Sequence, residues 1–231
     1  MLIDPFWYGG GGDPNFAQVV LLLHLDGTNG STTFPDNSAS NHTFTTGGGS
    51  LTTTNPKFGT ASLTSAGSLY ISSPDSADWF FGSGQFTVET WIYPTSAISG
   101  VRSVIAQFGG PASQLGWNLA FNGNTLNFFY STTGTDNPVV TGSYTPTLNT
   151  WVHIAADRDA SNVLRVYAGG SVVASGTVSA TFFDSNRILV VGNDGGVSRG
   201  FVGQIDEVRI TKGLARYGGA FTPPSAPFPD S

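Results

Sequence analysis

Two segments near opposite ends of the chain set its pattern. Val19 to Gly27, VVLLLHLDG, is an apolar run interrupted by one histidine and closed by an Asp-Gly turn dipeptide. In Gly203 to Tyr217, GQIDEVRITKGLARY, alternation assigns Gln204, Asp206, Val208 and Ile210 to one face of a strand and Ile205, Glu207 and Arg209 to the other. An acid on an apolar face needs a partner, because an unpaired buried carboxylate costs on the order of several kcal/mol. Asp206 is therefore the first residue to account for.

From Phe16 onward short apolar and alternating runs are separated by turn chemistry, with almost no helical periodicity. The pattern predicts strands over Val19 to Leu25, Leu69 to Ile71, Gln85 to Tyr93, Arg102 to Gln107, Trp117 to Asn122 and Thr125 to Ser131. Further strands are expected over Trp151 to Arg158, Val163 to Ala168, Ser171 to Thr177, Ile188 to Val191 and Phe201 to Thr211. Asn122-Gly123-Asn124 and Ala168-Gly169-Gly170 supply residues that tolerate positive φ, so the strands on either side of each read as hairpins. A helical turn near Pro74 to Trp79 has Asp75 or Ser76 as its cap. Consecutive antiparallel strands in a chain of 231 residues close best as two packed sheets, so the expected fold is all-β, an antiparallel jelly-roll sandwich. Trp91 and Trp151 are expected in the core, and His24 and His153 as hydrogen-bonded sheet residues rather than ligands.

Composition narrows the possible partners. Charged residues make up 10% of the chain, against about 25% in an ordinary domain, so solubility rests on hydroxyls and amides. Nine Lys and Arg against fifteen Asp and Glu give a net charge of -6, and no basic run is present to neutralise a phosphate backbone, which argues against nucleic acid. The chain has no cysteine, which excludes disulfides and thiolate metal sites. No apolar run approaches the roughly 18 residues of a membrane-spanning helix. The N-terminus lacks the basic and apolar regions of a secretory signal.

Met1 to Tyr8, MLIDPFWY, is aromatic-rich and is joined to the rest by Gly9 to Gly12. Residues 1–14 thus read as an arm and linker and 15–231 as the sandwich. Phe6, Trp7 and Tyr8 have the character of partner-docking anchors; the alternative is an end without fixed structure, or extra residues packed on the same domain.

The common catalytic signatures are absent. Two acids on one strand face would be needed for retaining glycoside hydrolysis, but VETWIY carries one acid, and the neighbours Asp206 and Glu207 point to opposite faces. Three loops, Gly109 to Trp117, Ser131 to Pro138 and Gly192 to Gly200, are expected to meet at one rim. They would offer Trp117, Tyr130, Asp136, Asn137, Asn193, Asp194 and Arg199 to a sugar, rings for a pyranose face and polar groups for its hydroxyls. The same residues are also ordinary loop formers.

Together with KFGTASL (Lys57 to Leu63), QFTVETWIYP (Gln85 to Pro94) and NTWVHIAADRDASNVLRVYAGG (Asn149 to Gly170), the two opening segments resemble the laminin-G-like branch of the concanavalin A-like lectin and glucanase superfamily. The resemblance covers roughly residues 17–228. It is nearest to copies in bacteriophage structural proteins, where a pattern like PDSADWFFGSGQFTVETWIYP and a closing LARYGGAFTPPSAPFP recur after a short N-terminal extension. It implies a jelly-roll domain and, at the positions matching the family's structural calcium site, Asp26, Asp36 and Asp206 as ligands. The residues leave a second account open, in which Asp206 accepts loop amides and Asp26 and Asp36 form Asx turns. The expectation drawn from this is a non-enzymatic virion component, a decoration or fibre-associated protein present in several copies. It would dock on other virion proteins by its arm and touch host polysaccharide. The alternatives are a free extracellular carbohydrate-binding module or adhesin domain, and, less favoured, a glycoside hydrolase.

Overall fold

The computed structural model describes residues 12–109, 113–195 and 199–231. The docking positions Phe6, Trp7 and Tyr8 lie outside the described residues. Fifteen strands form among them: β1 (Val19–Leu23), β2 (Thr45–Gly47), β3 (Ser50–Thr52), β4 (Ser62–Ala66), β5 (Tyr70–Ser73), β6 (Phe86–Pro94), β7 (Val101–Gln107), β8 (Trp117–Asn122), β9 (Thr125–Tyr130), β10 (Val139–Ser143), β11 (Val152–Arg158), β12 (Val163–Ala168), β13 (Ser171–Thr177), β14 (Leu189–Val191) and β15 (Val202–Lys212). They make two antiparallel sheets. The first has the order β13-β12-β11-β6-β15-β4-β3, with β1 also paired to β15; the second has the order β10-β9-β8-β7-β14-β5-β2. A single helical turn over Ala77–Trp79 is capped by Ser76, whose side chain accepts the Asp78 amide.

Alternation explains how the sheets pack. Phe86, Val88 and Ile92 of β6, Ile154 and Ala156 of β11, and Ile205, Val208 and Ile210 of β15 share one buried core with Ile105, Leu119, Phe121, Leu126 and Phe128 of the second sheet. Stacked aromatic rings thicken this core, with Phe81 on Phe86 at 4.3 Å and on Trp117 at 5.1 Å. Burial of this kind contributes about 25 cal/mol per Å² of apolar surface and is the main force closing the sandwich.

The expected parity of β15 is broken. Its register with β6 shifts between Asp206 and Arg209, and Glu207 there adopts φ +52°, the geometry of a bulge. Ile205 and Val208 both point inward on either side of it. Asp206, paired with Trp91, and Arg209, paired with Glu89, therefore fall on the same outer face. Asp206 does not share a face with Val208 and Ile210, because the extra residue resets the alternation.

Four strands were not legible in the pattern. β2, β3, β4 and β10 read TTG, SLT, SLTSA and VVTGS, and Ser, Thr and Gly in such short runs carry no period-two signal. Pairing with their neighbours creates them. After β15 the chain crosses the outer face of the first sheet. Tyr217 and Gly218 donate their amides to Asp157, Phe221 donates to the Gly170 carbonyl, and Phe228 donates to Glu207. The crossing ends where the Asp13 amide donates to the carbonyl of Ser231.

Candidate functional site

The rim loops do come together in part. Leu115 donates its amide to Gly134 at 2.9 Å, and the backbones of Gly109 and Asp194 pack so closely that a Cβ at Gly109 has no room. Gly109 and Leu115 thus each touch a neighbouring loop. Within this cluster the polar groups mostly hold the loops themselves. Asp136 accepts from the hydroxyl of Ser131 at 2.6 Å, from the amides of Thr132 and Thr133 at 2.8 and 2.9 Å, and from both threonine hydroxyls. Partial burial opposes its charge, but these donors keep the Asp136 carboxyl well below the usual carboxylate range. Asn193 is buried, donating to the Gly67 carbonyl at 3.1 Å and accepting the Asp194 amide. Asp194, also buried, lies 2.9 Å from Arg199 Nε.

Trp117 is not a rim residue. It is 1% exposed, stacks in the core and donates its indole N–H to the Trp79 carbonyl at 2.8 Å; the strand β8 turns it inward, and its length fills the space between the sheets. Tyr130 is half-buried on Phe182, ring centroids 4.9 Å apart. Asn137 is exposed, and the Arg199 side chain is 44% exposed.

Asp26, Asp36 and Asp206 each serve a different piece of backbone. Asp36 is buried and accepts the amides of Leu22 and Ser38 at 2.9 Å, the amide of His42 at 2.7 Å and the Ser38 hydroxyl at 3.0 Å. Asp26 accepts the Thr60 and Ala61 amides through one oxygen. Asp206 accepts Lys57 at 2.7 Å, Phe58 at 3.2 Å and Glu207 at 2.9 Å. Burial raises the Asp206 carboxyl to about 8 in spite of these amides. Among the described residues no group of three or more His, Cys, Asp or Glu side chains is placed to hold a metal ion. A nest of N–H donors suits a carboxylate and repels a cation, so these three residues do not fit the calcium that the resemblance implies.

Two polar clusters carry no warning in the sequence pattern. His24 lies just past β1, with Nδ1 2.7 Å from Glu207 and Nε2 2.6 Å from Asp230. Burial works against its charge, but the two carboxylates lift the imidazole to about 9. It borders a pocket of about 410 Å³ lined also by Leu25, Asp26, Pro35, Asn37 and Asp230. The second cluster lies on the outer face of the first sheet under the C-terminal crossing. There Glu89 meets Arg209 at 2.8 and 2.9 Å and His153 at 3.1 Å, and accepts the Tyr217 hydroxyl. Arg216 and Arg209 share Asp13 at 2.6 and 3.4 Å. Burial opposes ionisation of Glu89, yet Arg209, His153 and Arg216 hold its carboxyl far below the normal range. His153 is bonded as expected through Nε2, while its Nδ1 has no partner. Trp91 is 6% exposed and in contact with His153, whereas Trp151, expected in the core, is only half-buried.

Two antiparallel sheets of this order agree with a family model, the concanavalin A-like lectin/glucanases superfamily, that matches residues 64–215. The chain belongs to that superfamily. No curated protein sequence matches this concanavalin A-like domain. Among solved structures it is similar to the binding domain of Paraclostridial Mosquitocidal Protein 1, at 15% identity and a TM-score of 0.67, covering 87% of this chain and 50% of that one. The botulinum neurotoxin serotype G binding domain matches at 16% identity and 0.64, covering 86% and 49%. The serotype D ligand binding domain, solved in complex with N-acetylneuraminic acid, matches at 14% and 0.66, covering 87% and 49%. The concanavalin A-like domain spans about half the length of these chains, and at such identities the likeness is one of fold.

Proposed function

We propose that the chain is a non-enzymatic glycan-recognition domain. The observation that carries this reading is the commitment of its buried acids to the fold. Glu89 is neutralised by Arg209, Glu207 by His24 and Asp194 by Arg199, and Asp206 holds loop amides. A hydrolase keeps two carboxyls free to flank a glycosidic bond; carboxyls held by guanidinium, imidazole and amide donors are not free to do so. The superfamily membership and the likeness to toxin binding domains, one of them solved with N-acetylneuraminic acid, support a sugar as ligand class. At the rim, Asn137, Arg199 and Tyr130 are the groups left to meet one. Fold alone does not establish binding, so the test is direct. The purified chain applied to an array of neutral and sialylated glycans is expected to bind a defined subset and to release no reducing sugar on prolonged incubation. Release of reducing ends would overturn the reading.

A finer reading, that the domain is a multicopy virion decoration or fibre-associated component, rests on the sequence. MLIDPFWY ahead of four glycines suits an arm that docks on a larger assembly while the sandwich faces outward. Particles purified from the source culture are expected to contain the chain in stoichiometric amount, and removal of residues 1–12 to abolish incorporation without lowering the melting temperature. Finding the chain free in the medium and absent from particles would favour a free extracellular module.

A further inference from the structure

One row of side chains on the outer face of the first sheet crosses four strands and ends on Trp151, the residue just before β11. Gln204 of β15 pairs with Tyr93 of β6 on one side and with Thr64 of β4 on the other. Thr64 pairs in turn with Ser50 of β3, and beyond Tyr93 the ring of Trp151 lies 5.4 Å away. All five residues are partly exposed, whereas the neighbouring row, His153, Trp91, Asp206 and Ser62, is buried. At about 4.8 Å between strands the exposed row is about 19 Å long.

Its composition is unusual for a chain of net charge -6: an indole, a phenol, an amide and two hydroxyls, with no ionised group. The row is also held still. The Trp151 indole N–H donates to the Asn55 carbonyl at 3.0 Å, and the Gln204 amide nitrogen donates to the Thr54 carbonyl at 2.8 Å. Two rings at one end offer faces to the C–H surface of a pyranose, and the hydroxyls of Thr64 and Ser50 at the other end are matched to sugar hydroxyls. Because the rings and the amide are fixed before binding, little side-chain entropy is lost on contact.

We infer that the row Trp151–Tyr93–Gln204–Thr64–Ser50 is a binding platform for a neutral polysaccharide chain laid across the strands. This rests on the glycan-recognition reading above but places the contact on a sheet face, away from the rim loops. The absence of charge in the row selects a neutral glycan over an acidic one and makes binding indifferent to salt, since there is no ion pair to screen.

The test is affinity electrophoresis of the full chain through gels containing dextran, laminarin, mannan or amylopectin, with alginate as the acidic comparison. At least one neutral polymer is expected to retard the protein equally at low and high salt. Tyr93→Ala and Trp151→Ala are each expected to weaken that retardation about tenfold. Trp151→Ala also removes the bond to Asn55, so its melting curve is recorded alongside, and Tyr93→Ala, which keeps both loop hydrogen bonds, reports if the first variant unfolds. Retardation that survives both changes but is lost in Tyr130→Ala or Asn137→Ala overturns the platform and leaves the glycan reading standing. Retardation by alginate alone, abolished by salt, overturns the neutral class. No retardation by any polymer, together with a blank glycan array, overturns both.

Discussion

The guanidinium of Arg209 meets the carboxylate of Glu89 through two nitrogens, at 2.8 and 2.9 Å, and neither side chain is exposed to solvent. Removing Glu89 takes from Arg209 its two shortest charged contacts and leaves the longer one to Asp13, at 3.4 Å, in a poor dielectric. Glu89→Ala is therefore expected to cost about 3–5 kcal/mol, and urea denaturation would measure it. A loss under about 1 kcal/mol would mean that solvent reaches the pair.

The imidazole of His24 gives the fold a pH dependence of definite sign. Its value in the folded chain is raised from 6.5 to about 9, so its stabilising contribution is complete below about pH 6.5 and is lost as pH rises through 9. A displacement of that size corresponds to about 3 kcal/mol as an upper bound. Asp206, raised from 3.8 to about 8, acts in the same direction, because the folded state holds its proton more tightly than the unfolded chain. Melting temperature is expected to decline between pH 7 and 9.5, and His24→Gln to flatten much of that slope.

Chelation should leave the protein untouched. Asp26, Asp36 and Asp206 face amide donors, so EDTA is expected to produce no shift in melting temperature and added calcium no gain. Asp36→Ala, by contrast, orphans the buried amide of Leu22 and the amides of Ser38 and His42 and is expected to cost about 2–3 kcal/mol whether or not calcium is present. A melting temperature that falls on chelation would contradict the geometry.

Gly203 has no room for a side chain. It sits at φ +153°, and a Cβ would run into the carbonyl of Tyr93 on the paired strand. Gly203→Ala is expected to lower stability by about 2 kcal/mol through forced backbone displacement, visible as a drop in the midpoint of thermal unfolding.

What the sequence shows of this fold, and what it hides, follows from which forces act locally. β6, β8, β11 and β12 were legible because their buried residues recur with the strand period or form unbroken apolar runs. β2, β3, β4 and β10 were not, because a Ser, Thr or Gly becomes a strand residue only when a neighbour arrives to pair with it. The bulge at Glu207 was invisible for a related reason: its side chain is bonded to His24 and Phe228, which are distant in sequence, and one inserted residue puts Asp206 on the face opposite to Val208 and Ile210. Asp206 was correctly marked as needing a partner, but a carboxylate advertises only its need, and amide donors answered it. Trp117 and Trp151 exchanged their expected places, since a tryptophan flanked by strand residues has the same local pattern whether its ring faces the core or the solvent.

The bond between Asp13 and Ser231 brings the two ends of the folded region within one hydrogen bond of each other. A domain closed in this way resembles a cassette: it can be spliced into a surface loop of another protein, entering and leaving at nearly the same point, without prising the host loop apart. It also suits circular permutation, with a short peptide joining those ends and a new opening cut in the Asn122-Gly123 turn.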